Sequence, residues 1–431
     1  MIDMWEQIRM NRRRSVILMV LMALLLMALG FAIAEAFHPG AGLIGVAAAT
    51  AMWLVLMLVA YFQGDNILLA VSGAREIEHK DHPRLFNIVE EMQIAAGLPK
   101  MPRVYIIDDM SLNAFAAGRK PEKAVVAVTA GLLGKLNRDQ LQGVVAHEMS
   151  HVVNRDVLLM TVVGVTIGAI VMISEVFLRG LIYGGRGHSR RYRSSRRSGG
   201  GGGGVMLIVA IVLAILAPIL AQVIYFAISR RREYLADASG AILTRYPEGL
   251  AGALEAISRD GTPMARLNKA TAPMYISNPF EKTGKMALGM SSTHPPIHER
   301  IRILRGMAGQ VSFARYDEAL KQVKGVEKGV IPLSALQAGR PAFAARQASP
   351  EDAAAPATQR AQMRQAGDLV RQMNQFRFIQ CPCGIKIKIP PDYARPQAVC
   401  PRCRRSHSVA NTPTRPARQV IRTAKLRSKA K

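Results

Sequence analysis

The sequence predicts a mainly α-helical, membrane-integrated chain with a small β-sheet and a separate cysteine-bearing module near its C-terminal end. Three observations carry that expectation. Four apolar runs reach or approach the length of about 20 residues that a helix needs to cross a hydrocarbon core. Two short runs rich in β-branched residues lie between the second and third of them. All 4 cysteines fall between residues 381 and 403, away from the apolar runs, which argues against a disulfide-stapled secreted domain.

The first two runs, residues 16–34 and 41–62, are uncharged, with His38, Pro39 and Gly40 making the turn between them. The first is too long, and too closely followed by the second, to be a cleavable leader, so it reads as an anchor. Arg9, Arg12, Arg13 and Arg14 precede it and by the positive-inside tendency hold the N-terminus in the cytoplasm, so the hairpin returns residue 63 to that side. Leu85, Ile88, Val89 and Met92 then recur at helical spacing. The β-type runs, 104–107 and 124–129, bracket a loop containing Asn113, Phe115 and Gly118. Asn137 is placed to cap a helix that starts near Arg138 and runs through His151. The third and fourth apolar runs, 157–174 and 205–229, end on Glu175 and Arg179 and on Arg230, Arg231 and Arg232. The Arg-rich, Gly-rich connector between them belongs on the cytoplasmic side by the same tendency, which conflicts with a simple four-span path and leaves its location open. A helical region over 234–257 follows, the compact body ends near 304–306, and 340–370, rich in Ala, Gln and Pro, reads as linker, with short helices there as the alternative.

A formal net charge of +27 raises the question of nucleic acid, so the distribution of that charge matters. Residues 180–204 carry six Arg and no acid, 376–410 carry seven basic residues against Asp392, and 411–431 carry seven more. The remainder is only mildly basic, so nucleic-acid binding is not expected of the body.

The chemistry is concentrated in His147-Glu148-Met149-Ser150-His151, an HExxH pattern. On a helix the two histidines, at i and i+4, face one way and can clasp one metal ion, and Glu148 can reach a water at that ion as general base. A catalytic zinc needs a third protein ligand while leaving one position open. Glu233 is the candidate, in Arg232-Glu233-Tyr234-Leu235-Ala236-Asp237, where Glu233 and Asp237 share a helix face. Asp237, Asp156 and Asn154 are candidates for the outer groups that receive a ligating histidine's second ring N–H. His294 is the candidate for stabilising the oxyanion, or equally a turn former before two prolines, and Asn113, Ala114 and Phe115 are candidates for pairing with an extended substrate strand, with Phe115 equally readable as core.

These residues resemble the HtpX-type membrane metallopeptidases, relatives of the CAAX prenyl endopeptidases. The resemblance spans roughly residues 63–305 and the hairpin before them. It rests on Asn113 through Gly118, Gly131-Leu132-Leu133, Ala146 through Asp156, Arg232 through Asp237, and His294-Pro295-Pro296 followed by Arg300-Ile301. It implies a helical zincin-type peptidase domain in the bacterial inner membrane, facing the cytoplasm and degrading damaged or misfolded membrane proteins. Its zinc ligands fall on His147, His151 and Glu233, and its catalytic glutamate on Glu148.

The expected division is a transmembrane hairpin (1–62), a first peptidase part (63–156), a second hydrophobic hairpin with its connector (157–229), a second peptidase part (230–310), a linker (311–375), a zinc-ribbon-like module (376–410) and a basic disordered tail (411–431). In that module Cys381 and Cys383, and Cys400 and Cys403, supply four thiolates for one structural zinc, beside the catalytic one. The expected partners are polypeptides and the lipid bilayer. The rival function is a catalytically inactive, membrane-anchored zinc-ribbon adaptor.

Overall fold

The computed structural model describes residues 2–118, 120–184, 202–265, 274–279, 294–307, 309–333, 336, 342–349 and 356–409. Most of the Arg-rich connector and the basic tail lie outside the described residues.

Helix α1 (Ile2–Phe37) turns into α2 (Gly42–Ser72). The Glu35 carboxylate closes that turn by accepting from the Gly40 and Gly42 amides, each at 2.8 Å, so the first turn of α2 is capped from the preceding helix. α2 outruns the predicted apolar segment by a further ten residues because Leu68 and Leu69 bury themselves against the sheet that follows.

That sheet has four strands in the order β1-β2-β4-β3, with β1 Ala74–Glu76, β2 Arg103–Ile107, β3 Ala114–Ala117 and β4 Val125–Thr129. β2 and β4 are parallel, and the other pairings are antiparallel. Alternate residues feed two cores. Val104, Ile106, Val126 and Val128 join the main core with α3 (Pro83–Ala96), while Tyr105, Ile107, Val125 and Phe115 face the end of α2. Burial on both faces explains why the strands read as unbroken apolar runs. The expected loop over 113–118 is in fact the edge strand β3. Gly118 lets it turn back, with φ of +129° and no room for a Cβ, which would lie 2.8 Å from the Ala124 Cα.

After α4 (Ala130–Lys135), Asn137 caps α5 (Arg138–Val153) as the sequence predicts. Its side chain accepts from the Gln140 amide at 2.8 Å and the Gln140 side chain returns the bond at 3.1 Å. Arg155, at φ of 56°, reverses the chain directly into α6 (Asp156–Gly184). The expected break between the fourth apolar run and the following helix is absent. One helix, α7 (Gly202–Thr244), carries both, because no proline interrupts it from Arg230 to Thr244 and the packing of this stretch against α5 outweighs the low helix propensity of Gly240. α1, α2, α6 and α7 are long and apolar enough to cross a membrane. Ala210, Ala214, Ala217 and Ala221 of α7 lie in one buried cluster with Leu18, Met22, Leu26 and Leu29 of α1, small side chains against large. The chain is a membrane protein. Below this bundle α7 crosses α5 at Gly240, where a Cβ would lie 3.1 Å from the His147 nitrogen, so a side chain here would press on the α5 backbone.

Helices α8 (Pro247–Arg259) and α9 (Ile297–Arg305) complete the packing around α5. The predicted linker over 311–375 is corrected. α10 (Phe313–Lys324) buries Tyr316, Ala319 and Leu320 in the main core, the short strands β5 (Gln310–Val311) and β6 (Phe343–Ala344) pair, and α11 (Pro356–Met373) adds Leu369. Its polar composition hid an amphipathic pattern that only the partner surfaces make useful. The cysteine module is two small hairpins, β7 (Arg377–Gln380) with β8 (Lys386–Ile389) and β9 (Gln397–Val399) with β10 (Ser406–Ser408).

Candidate metal centre

Three elements converge beneath the bundle. α5 presents His147, Glu148 and His151, α7 presents Glu233 and Asp237, and α9 with the turn before it presents His294 and Arg300. His147, Glu148 and Glu233 are each no more than 2% exposed. The cleft they line is small and also bounded by Ala116, Met160, Tyr275 and Ile276. Met160 opens the apolar segment of α6, so the cleft lies where the spans leave the bundle.

One ligand atom each from His147, His151 and Glu233 lies within 4.8 Å of the others. Glu233 Oε1 is 3.4 Å from His151 Nε2 and its Oε2 is 3.6 Å from His147 Nε2. Atoms bonded tetrahedrally to zinc at about 2.0–2.2 Å stand about 3.3–3.6 Å apart, so these separations suit a shared ion better than mutual hydrogen bonds. His147 Nε2 and Glu233 Oε2 are buried with no hydrogen-bond partner, a costly state that a cation between them relieves. Charge agrees. The buried carboxylates of Glu148, Asp156, Glu233 and Asp237 are matched by the guanidinium groups of Arg232 and Arg300 and a divalent ion. The residues fit a divalent metal.

The outer ring nitrogens of both histidines lie near aspartate carboxylates. His147 Nδ1 is 2.9 Å from Asp237 Oδ1 and His151 Nδ1 is 3.4 Å from Asp156 Oδ2. Asn154 sits at the C-terminus of α5, where its backbone N–H closes the helix on Ser150 O. Burial works against a charged His151, yet its hydrogen bonds to the Asp156 and Glu233 carboxylates outweigh that and raise its pKa to about 10 when no ion is present. A proton then stands where the metal belongs. Because only the neutral imidazole can ligate, the affinity for a divalent ion should rise with pH, about tenfold per unit from pH 6 to 9 for one displaced proton. Chelator competition, following the ion that His147→Ala also loses, checks this, and a flat profile would count against it.

Burial raises the pKa of Glu148, opposed by the nearby histidines and by the Ala116 amide, which donates to its Oε2 at 2.8 Å. His294 lies 3.6 Å from Glu233 Oε2, and burial lowers its pKa to about 4, so at neutral pH it is an uncharged donor beside the cleft. His298 is exposed.

The expected strand-binding edge is already in use. Ile276 N donates to Ala114 O at 2.9 Å, and the Asn113 side chain bonds both ways with Ser277, donating at 2.9 Å and accepting at 3.3 Å. Of the two readings open for Phe115, its packing fits core, because its side chain lies on the face opposite α5 and stacks edge-on against Tyr275. Sequence reading missed the segment at 274–278 and the grip of Arg300. No periodic signal links residues about 160 positions apart.

The four cysteine Sγ atoms also cluster within 4.8 Å, with Cys381 and Cys403 3.4 Å apart and Cys383 and Cys400 3.5 Å apart. Gly384, at φ of +88°, and Arg404, at φ of 57°, make the two turns.

Residues 79–308 match the family described as Peptidase family M48. The chain is 45% identical over 303 residues to the protease HtpX homolog of Dictyoglomus thermophilum, covering 70% of this chain and 94% of that one. It is 43% identical over 299 residues to that of Caldanaerobacter subterraneus subsp. tengcongensis, covering 69% and 95%. It is 40% identical over 304 residues to that of Streptococcus agalactiae, covering 70% and 100%. No solved structure matches.

Proposed function

Because this chain belongs to peptidase family M48, as a membrane metallopeptidase of the HtpX type, we propose that it is a zinc endopeptidase of the bacterial inner membrane whose active site faces the cytoplasm and cleaves damaged or misfolded membrane proteins. The observation that carries the reading is the unsatisfied pair of atoms on His147 and Glu233, facing His151 across a gap of ligand dimensions with Glu148 alongside. Arginines before the first span support the cytoplasmic side. The adaptor reading has no observation in its favour.

Held by His147, His151 and Glu233, zinc would supply the Lewis acidity that activates a water and polarises the scissile carbonyl. Glu148 takes the proton from that water and passes it to the leaving amine. His294 donates to the oxyanion as it forms. Asn113 and the outward backbone of Ala114 and Ala116 align the substrate as an added strand, recognising extended backbone more than sequence. An unfolded chain offers such a backbone and a folded one does not. The direct test is chelator-sensitive cleavage of an unfolded model protein by the full chain in detergent, with its folded form spared. Equal cleavage of both would remove the quality-control reading.

Substrate pairing requires Ala114 O to exchange partners. Binding of a non-hydrolysable extended peptide should therefore speed amide exchange at Ile276 by about 5–10-fold, the worth of one hydrogen bond. Exchange at Ile276 that stays the same or slows would place the substrate elsewhere. The cysteine cluster is proposed to hold a second, structural zinc, which fixes two hairpins too small to fold on their own cores.

A further inference from the structure

Each ligating histidine is backed by an aspartate, and each aspartate by a buried arginine that no motif assigns a task. Arg300 is 1% exposed and grips Asp237 with both prongs, Nε to Oδ2 at 2.8 Å and Nη2 to Oδ1 at 2.7 Å. Arg232 is 4% exposed, with Nη1 3.5 Å from Asp156 Oδ1. It also donates from Nη2 to Ser15 Oγ, at 2.8 Å, on the membrane helix α1. We propose that Arg232 and Arg300 are positioning residues for the metal centre, fixing the Asp156 and Asp237 carboxylates that orient His151 and His147, and that Arg232 ties this arrangement to the membrane hairpin.

The argument is one of cost and geometry. Burying a guanidinium is expensive, and surface packing alone would not require it. Here two aspartates, themselves 0% exposed, stand behind the two ligating histidines, and a buried carboxylate in that place needs a partner that holds its position. A forked guanidinium also fixes the carboxylate plane, which a single point charge does not. Arg300 reaches one step further, donating from Nη1 to the Ile276 carbonyl at 3.2 Å, so the same side chain touches the support of His147 and the segment bordering the cleft.

The inference rests on the metal-centre reading, and its test separates the two. Full-length chains carrying R232M, R300M, R232K and R300K are purified in detergent. Each is compared with wild type for unfolding midpoint, for the chelator concentration that strips the ion, and for the cobalt(II) spectrum taken as a difference against His147→Ala. The Met variants should lose the ion about 10–100-fold more readily, and the Lys variants should recover part of that loss while showing a displaced cobalt band. A folded Met variant with wild-type affinity would overturn the proposal. So would Lys variants that match wild type in both affinity and cobalt spectrum, a result that decides the matter even if the Met variants fail to fold. A His147→Ala chain that retains all of its metal would overturn the centre itself, and this proposal with it.

Discussion

Glu148→Gln is expected to lower kcat on an unfolded protein by about 10²–10⁴-fold, the usual contribution of a positioned general base, while leaving zinc at His147, His151 and Glu233. The geometry explains why the two effects separate. Glu148 lies between the ligating histidines but is not one of the three clustered ligands, and its Oε2 accepts from the Ala116 amide. Glutamine keeps the volume and can still accept that bond, so the fold and metal affinity should hold. It cannot take a proton from water. Steady-state cleavage rates and metal content measured on the same preparation decide the matter. Loss of zinc along with activity would mean that Glu148 is part of the coordination shell, and unchanged cleavage would remove it as base.

The second large effect is on stability. Phe115→Ala should cost about 3–5 kcal/mol, the range for deleting a buried aromatic side chain and leaving a cavity. Phe115 is 0% exposed, shares a core with Leu68, Leu69, Tyr105 and Ile107, and meets Tyr275 edge to face with ring centroids 5.4 Å apart. Those neighbours belong to the end of α2, the sheet and the segment over the cleft, so the cavity would open where three parts of the molecule meet. Phe115→Leu, closer in volume, should cost less. Denaturant unfolding in detergent gives both values. A loss under 1 kcal/mol accompanied by a raised KM would return Phe115 to the substrate surface.

The contrast between Phe115 and Asn113 shows where sequence reading reaches its limit. Both fell in one short segment that read as a substrate-binding loop. The strand period of two sends Phe115 to one face and Ala114 and Ala116 to the other, but the segment is too short to reveal which face is which. Pairing with β4 settles it. In the same way α10 and α11 read as linker because their polar faces dominate their composition, and their apolar residues gain meaning only against the core that receives them.

The sequence by itself pointed to the chemistry and the setting. HExxH places two candidate ligands and a candidate base within one turn of helix, uncharged runs of about 20 residues point to a membrane, and paired cysteines point to a metal or a reducing environment. These are local relations, written within a few turns of chain. The tertiary structure alone decided what depends on distant segments meeting. The crossing of α7 and α5 at Gly240 brings Glu233 to the histidines, Arg300 and Arg232 close on the aspartates, and residues 274–278 lie along β3. Such contacts join positions separated by tens to hundreds of residues, and they are selected by which buried charges and backbone groups can satisfy one another once the chain has packed.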